Sequence, residues 1–127
     1  MRLLLDTQIL MKIIEQNTNK LPLRIRQIVA DPANEFHVSV ASLWEIAIKF
    51  RLGKLPLPVG LEALPNAIRD VGIMIMPINE THSIIGVKPE PATRDPFDRL
   101  LLAQCLVEGL RLVTVDRALV GHPLAAR

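Results

Sequence analysis

The stretch of the chain that decides its fold is LLLDTQILMKII, residues 3–14. Three consecutive leucines are typical of a short strand that is buried on both faces. From Asp6 onward the pattern changes, because apolar residues now recur four positions apart, as at Ile9 and Ile13. We therefore predict a buried strand that leads directly into a helix, with Asp6 as the helix N-cap.

The same alternation between a short apolar run and a helical pattern continues along the chain. Strands separated by helices imply a parallel sheet with right-handed crossovers. The expected fold class is therefore α/β, with a central parallel sheet of four to five strands flanked by helices on both faces. The strands are predicted at 3–5, 36–40, 73–76 and 110–115, and the helices from Asp6, at 22–30, 42–52, 61–70, from Glu80, at 95–109, and from Asp116 to near Gly121.

The length of 127 residues predicts a single domain that covers residues 1–127. Half of the residues are apolar and 22% are charged, which indicates neither disorder nor a membrane protein. Asp6 interrupts the apolar start well short of a signal peptide, and the lone Cys105 fits a core position in a reducing compartment. We expect a soluble, cytoplasmic protein without a membrane partner. The formal net charge of +2 permits contact with nucleic acid without requiring it.

Four acidic residues follow short apolar runs, at the points where a strand would lead into a helix. These junctions lie at the carboxyl ends of parallel strands, where open α/β sheets form their binding sites. Carboxylates gathered there would repel one another, and a divalent cation would remove that repulsion. Oxygen ligands favour Mg²⁺ or Mn²⁺ over zinc, and such ions support phosphodiester hydrolysis. The four residues are Asp6, Glu45, Asp98 and Asp116.

An acid at the start of a helix can also have a purely structural role as a cap. Asp95, followed by Pro96, is typical of a helix N-cap, and Ser42 with Glu45 matches a capping box. Thr114 would project to the same side of its strand as Asp116, where it could hold a water or phosphate or simply fill the strand. The three histidines show no ligand spacing, and we interpret them as structural: His37, His82 and His122.

Five stretches of the chain carry a resemblance to a known family. They are LLLDT (3–7), VSVASLWEIAIK (38–49), RLGKL (51–55), RDPFDRLL (94–101) and LVTVDR (112–117). In these stretches the sequence resembles the PIN-domain family, and within it the VapC-type toxins of bacterial toxin–antitoxin pairs. The stretches run in the family order across nearly the whole chain, and the second and fourth are long and specific.

The resemblance implies a Mg²⁺- or Mn²⁺-dependent ribonuclease. The family's acids match Asp6, Glu45, Asp98 and Asp116 of this sequence, and Asp95 matches an accessory acid. The resemblance also implies a homodimer, a cognate antitoxin that covers the cleft, and structured RNA such as tRNA or rRNA as the substrate, cut to slow translation. Two positions depart from many relatives, which have histidine where this chain has Gln8 and Thr93; these bear on substrate preference.

Three basic residues near the acids are candidate contacts for RNA phosphates: Lys49, Arg94 and Arg99. Each could equally be a solvent-facing helix charge. Aromatic residues make up 3% of the chain, which argues against base stacking as the main mode of recognition.

Two other functions compete with the nuclease. One is a phosphatase or phosphotransferase with Asp6 as the nucleophile, although the expected second acid is replaced by Gln8. The other is a catalytically inactive PIN-fold module that acts through its dimer or its antitoxin complex.

Overall fold

The computed structural model describes residues 1–127 and contains one parallel sheet. The strands lie in the order β3-β2-β1-β4, so β1 is central and pairs in parallel with β2 on one side and β4 on the other. The predicted parallel sheet is confirmed, with four strands. These are β1 (Arg2–Leu5), β2 (Glu35–Ser39), β3 (Met74–Met76) and β4 (Arg111–Val113).

Six α-helices connect the strands, two in each crossover, and they correspond to the first six of the seven predicted helices. Two short 3₁₀ turns, Thr18–Lys20 and Leu61–Ala63, lie in the connections. None of the helices has the length and apolar character that crossing a membrane requires. The helices are α1 (Thr7–Ile14), α2 (Leu23–Ala30), α3 (Val40–Arg51), α4 (Leu64–Asp70), α5 (Glu80–Ile84) and α6 (Pro96–Glu108).

The three leucines of β1 divide the hydrophobic core into two layers. Successive side chains of a strand point to opposite faces of the sheet. Leu3 and Leu5 accordingly belong to one cluster, with side chains of α1, α2, α3 and α4, while Leu4 belongs to the other, with side chains of α6. All three are fully buried. Helices therefore cover both faces of the sheet.

Helix α3 begins earlier than the sequence predicted. The hydroxyl of Ser39, the last residue of β2, accepts a hydrogen bond from the backbone N–H of Ala41 at 2.9 Å and caps the helix. The helix starts as soon as the strand ends, because this buried hydroxyl satisfies a free N–H group of the first turn. The capping-box interpretation of Ser42 and Glu45 is therefore wrong, since both residues lie inside the helix.

Helix α6 has the boundaries that the sequence predicted. Asp95 Oδ1 accepts a hydrogen bond from the N–H of Phe97 at 2.9 Å, and Pro96 occupies the first helical position. Gly109 ends the helix in the left-handed region, at φ 69°, which glycine adopts without steric cost. Cys105, in the middle of this helix, is a core residue, and burial raises the pKa of its thiol to about 12. The thiol therefore stays protonated and unreactive.

The predicted last helix is wrong. After Asp116 the chain makes a single turn, in which the N–H groups of Leu119 and Val120 both donate to the Asp116 carbonyl at 3.0 Å. Gly121 and Pro123 follow at once and do not continue a helix. The tail that comes next lies beside β4. The N–H of Leu112 donates to the Leu124 carbonyl, and the N–H of Ala126 donates to the Leu112 carbonyl, each at 2.8 Å.

Candidate active site

Asp6 and Asp116 come together where β1 and β4 end side by side. The N–H of Asp6 donates to the Val113 carbonyl at 2.9 Å. The Thr114 hydroxyl donates to Asp6 Oδ2 at 2.7 Å and accepts from the N–H of Asp116 at 3.0 Å. Thr114 is 2% exposed, so its hydroxyl is committed to these two acids and does not face a water or phosphate in the cleft.

Glu45 reaches the same place from the second turn of α3. Its Oε1 lies 2.7 Å from the Thr7 hydroxyl, and its Oε2 accepts from the Lys49 ammonium group at 2.8 Å. Thr7 Oγ1 is also 2.9 Å from Ser42 Oγ. Because a hydroxyl has one hydrogen and a carboxylate can only accept, Thr7 donates to Glu45 and receives the hydrogen of Ser42. The Glu45 carboxylate is thus held at both oxygens.

Asp95 and Asp98 lie at the start of α6, as its N-cap and as a residue of its first turn, and both line the same cavity. The Thr93 hydroxyl donates to Asp98 Oδ2 at 3.0 Å and accepts from the N–H of Asp95 at 3.0 Å. Asp98 is half-buried, whereas Asp95 is exposed. The structure therefore shows Asp95 as the N-cap and places its carboxylate at the edge of the same cleft.

All of these acids line one open cavity of about 470 Å³. Six carboxylates and two ammonium groups line it, so its formal charge is strongly negative. The carboxylates belong to Asp6, Glu15, Glu45, Asp95, Asp98 and Asp116, and the ammonium groups to Lys12 and Lys49.

One wall of the cavity was not predicted from the sequence. It consists of Gln8 and Lys12, which lie on α1, and Glu15, the residue that caps its C-terminus. Their spacing of four and three residues places them on one helix face, and Gln8 lies two residues after Asp6. This wall could have been predicted from the sequence, because the residues on one face of the helix that starts at Asp6 would be expected to lie beside its carboxylate.

Burial and neighbouring charges perturb the Asp6 carboxyl. Burial is the largest cause and raises the pKa of Asp6, and repulsion from Glu45 and Asp116 raises it further. Hydrogen bonds from Thr114 and from the backbone of Thr7 act in the opposite direction. The net direction is upward, so the protein alone does not compensate the charge that it gathers here.

Asp98 shows the same imbalance more clearly. Burial raises the pKa of Asp98 to about 6, with further contributions from the charges of Asp95, Asp6 and Asp116. The hydrogen bond from Thr93 lowers it only in part. Near neutral pH, a cation at this carboxylate would therefore relieve a real electrostatic cost.

Of the three basic residues predicted to contact RNA phosphates, only one lines this cavity. Lys49 lines it, and the hydrogen bond to Glu45 raises the pKa of the Lys49 ammonium group, which stays charged. Arg99 instead forms an ion pair with Glu90 and lines a separate groove beside α5. Arg94 is exposed and does not line the cavity. Lys49 is thus the member of the predicted trio that adjoins the acids.

The donor set of the cavity fits a hard divalent cation. Its ionisable lining atoms are carboxylate oxygens and ammonium groups, without histidine or cysteine, which excludes a typical zinc site. No group of three or more His, Cys, Asp or Glu side chains forms a ready-made coordination cluster. Mg²⁺ keeps several waters and takes one or two protein carboxylates, so it does not require such a cluster. The uncompensated charge at Asp6 and Asp98 supports the same ion.

Fold and site together define a class: an α/β domain whose parallel sheet carries a carboxylate-lined, oxygen-donor cavity at the carboxyl ends of its strands. The model of the PIN domain family matches residues 3–121. The chain belongs to the PIN domain family.

Two further comparisons agree with this assignment. The chain is 41% identical over 59 residues to Ribonuclease VapC16 from Mycobacterium tuberculosis (strain ATCC 25618 / H37Rv), a match that covers 46% of this chain and 42% of that protein. Its fold is similar to a chain in the crystal structure of VapBC2 from Rickettsia felis bound to a DNA fragment from their promoter, with a TM-score of 0.56 and 17% identity over 98% of this chain and 96% of the other. The predicted resemblance to VapC-type members of the family is confirmed.

Proposed function

We propose that this protein is a Mg²⁺- or Mn²⁺-dependent endoribonuclease toxin of the VapC type, which hydrolyses phosphodiester bonds of RNA. The observation that carries the proposal is the convergence of six carboxylates on one cavity at the carboxyl ends of β1 and β4. Membership of the PIN domain family and similarity to a protein named as a ribonuclease support the choice of RNA.

The proposed metal ligands are Asp6, Asp98 and Asp116, one or two of which would bind the ion directly and the others through coordinated waters. Glu45 would bind the metal directly or through a water, or would orient the attacking water. A carboxylate-held Mg²⁺ supplies two effects when bound: it lowers the pKa of a coordinated water and neutralises charge on the phosphoryl oxygens.

The residues around the metal ligands have supporting roles. Thr114 and Thr93 donate hydrogen bonds to the carboxylates of Asp6 and Asp98. The Lys49 ammonium group, half-exposed beside Glu45 and lining the cavity, would contact an RNA phosphate. Asp95 acts as an accessory acid through its charge at the cavity edge.

The partners of the protein follow from the same proposal. We infer that a cognate antitoxin neutralises the toxin by covering the cleft, and that two copies of the chain form a homodimer. Similarity to a chain of the VapBC2 structure supports the antitoxin partner. The substrate would be a structured RNA such as tRNA or rRNA in the cytoplasm, and its cleavage would inhibit translation.

Cleavage of RNA by the purified protein tests the proposal. Mg²⁺ or Mn²⁺ should support cleavage, EDTA should abolish it, and Asp98→Asn should remove it without loss of folding. Asp70→Asn, which changes an exposed acid at the end of α4, is the matched control and should cleave normally. Mapping of RNA ends after induced expression would then identify the substrate.

Two outcomes would contradict this function. Cleavage that persists in EDTA would show that the reaction does not depend on a divalent metal ion. Binding of varied RNAs without any cleavage by the wild-type protein would instead favour the catalytically inactive module.

A further inference from the structure

Thr93 uses both hydrogen-bonding capacities of its hydroxyl on the acids at the start of α6. The hydroxyl donates its single hydrogen to Asp98 Oδ2 at 3.0 Å and accepts the N–H of Asp95 at 3.0 Å. Thr93 is 9% exposed, so solvent has little access to compete for either bond. The rotation of the hydroxyl, and with it the orientation of the Asp98 carboxylate, is therefore fixed by the fold.

The same arrangement occurs a second time, on a different element. Thr114 accepts the N–H of Asp116 at 3.0 Å and donates to Asp6 Oδ2 at 2.7 Å. In both cases a Thr-Xaa-Asp tripeptide binds its own aspartate through the backbone and another aspartate through the side chain. The bond to the backbone is an ST turn, which is a common local preference of threonine. What the two segments share beyond it is a hydroxyl hydrogen donated to a carboxylate that lines the cavity.

Asp98 is left with one free oxygen. Oδ2 is occupied by Thr93, whereas Oδ1 makes no hydrogen bond within the protein, and the residue lines the cavity. A carboxylate held at one oxygen is restricted in rotation, so the other oxygen loses less freedom when it binds a cation.

We propose that Thr93 is a positioning residue for the metal site, which acts by holding the Asp98 carboxylate so that its free oxygen is available to a divalent cation. This inference rests on the proposed metal-dependent function. Removal of the hydroxyl should weaken the affinity for the metal by about tenfold or more, as for other residues that orient metal ligands. It should do so in the absence of any substrate.

Calorimetric titration of the full-length protein with Mn²⁺, without RNA, tests this inference. Thr93→Val, which nearly preserves the shape of the side chain, should bind Mn²⁺ about tenfold or more weakly, whereas Thr93→Ser should retain most of the wild-type affinity. Thr81→Val, at an exposed position of α5, is the matched control and should bind as the wild type does. Thr93→Ala gives the same comparison if the valine variant does not fold.

The melting temperature of each variant separates positioning from general stability. A lower melting temperature for Thr93→Val with unchanged Mn²⁺ affinity would mean that the hydroxyl serves only the loop, and would overturn the inference while the proposed function stands. Equal loss of affinity in Thr93→Val and Thr93→Ser would also overturn it. Failure of the wild-type protein to bind Mn²⁺ would overturn the proposed metal-dependent function and this inference together.

Discussion

At the scale of single residues, the cavity gathers six carboxylates and holds three of them with a threonine hydroxyl. Burial disfavours the ionised form of an acid, and a hydrogen bond to that form offsets part of the cost. The offset is incomplete, because the pKa values of Asp6 and Asp98 remain raised. The hydroxyl–carboxylate pairs are Thr7 with Glu45, Thr93 with Asp98, and Thr114 with Asp6.

The raised pKa of Asp98 predicts how stability depends on pH when no metal is present. Its pKa is about 6 in the folded protein, above the ordinary value of 3.8, so the folded state binds the proton more tightly than the unfolded state. Ionised Asp98 therefore destabilises the fold at neutral pH, and this cost decreases progressively as the pH falls from about 6 towards 3.8, the pKa of the unfolded state.

Asp98→Asn should accordingly raise the free energy of unfolding in EDTA at pH 7.5, by about 1 kcal/mol after allowance for solvent screening. The amide oxygen can still accept the hydrogen bond from Thr93. Thermal or urea unfolding between pH 5 and 7.5 measures the effect, with Asp70→Asn as the control. A variant that is less stable than the wild type at pH 7.5 would contradict the assignment of electrostatic strain to Asp98.

The different positions of Lys49 and Arg99 predict different effects on RNA binding. Lys49 lines the acidic cavity, whereas Arg99 pairs with Glu90 beside another groove. Lys49→Met should weaken RNA binding similarly across sequences and reduce the salt dependence of log K by about one. Arg99→Met, which removes an equal charge, should leave both unchanged. Binding measured in EDTA at several salt concentrations, without cleavage, distinguishes the two; equal losses would show that RNA spans both surfaces.

At the scale of elements, the start of α6 contributes both the N-cap of the helix and two of the acids that line the cavity. Asp95 is the N-cap of the helix and also lines the cavity, so capping and charge are combined in one side chain. Asp98 follows within the first turn, which fixes its distance from Asp95 by helical geometry. A change at Asp95 therefore mixes two effects that suitable substitutions can separate.

Asp95→Ala should lower the free energy of unfolding by about 1 kcal/mol, because it leaves the N–H of Phe97 without a cap. Asp95→Ser should keep most of the stability, since serine is an equally good N-cap without charge. If Asp95 is an accessory acid, both variants should lose RNA cleavage to a similar degree. Urea unfolding and cleavage rates together provide the test, and full activity of Asp95→Ser would restrict Asp95 to its capping role.

At the scale of the whole molecule, the site exists only in the folded chain. Its acids come from positions 6 to 116, so the unfolded chain cannot present them together. A ligand that binds only the folded state stabilises it by mass action. Mn²⁺ at 100 times its dissociation constant should add about 2.7 kcal/mol to the free energy of unfolding. The melting temperature should rise with Mn²⁺ in the wild type and much less in Asp98→Asn; equal rises would place the ion elsewhere.

Local patterns predicted much of this molecule. The strand–helix alternation, the caps at Asp6 and Asp95, and the end of α6 at Gly109 depend on residues within a few positions of one another. The start of α3 and the absence of a last helix were missed, because both depend on which partner satisfies the backbone. The Ser39 hydroxyl accepts a hydrogen bond from the first turn of α3 and so begins the helix there. The tail after Gly121 forms backbone hydrogen bonds with Leu112 and does not form a helix.

The sequence alone determined the α/β class and the positions of Asp6 and Asp116 after strands, since apolar periodicity and junction residues are local properties. The predicted junction positions of Glu45 and Asp98 are wrong, because both lie inside helices. Only the tertiary structure decided which groups meet: Thr114 and Asp6 are 108 positions apart yet joined by a 2.7 Å hydrogen bond. It likewise separated Arg99 from the cavity and brought Lys12 into it. Such contacts depend on the order of the strands in the sheet and on which side of each helix packs against it. Both are determined when the whole hydrophobic core packs, so no short segment of sequence predicts them.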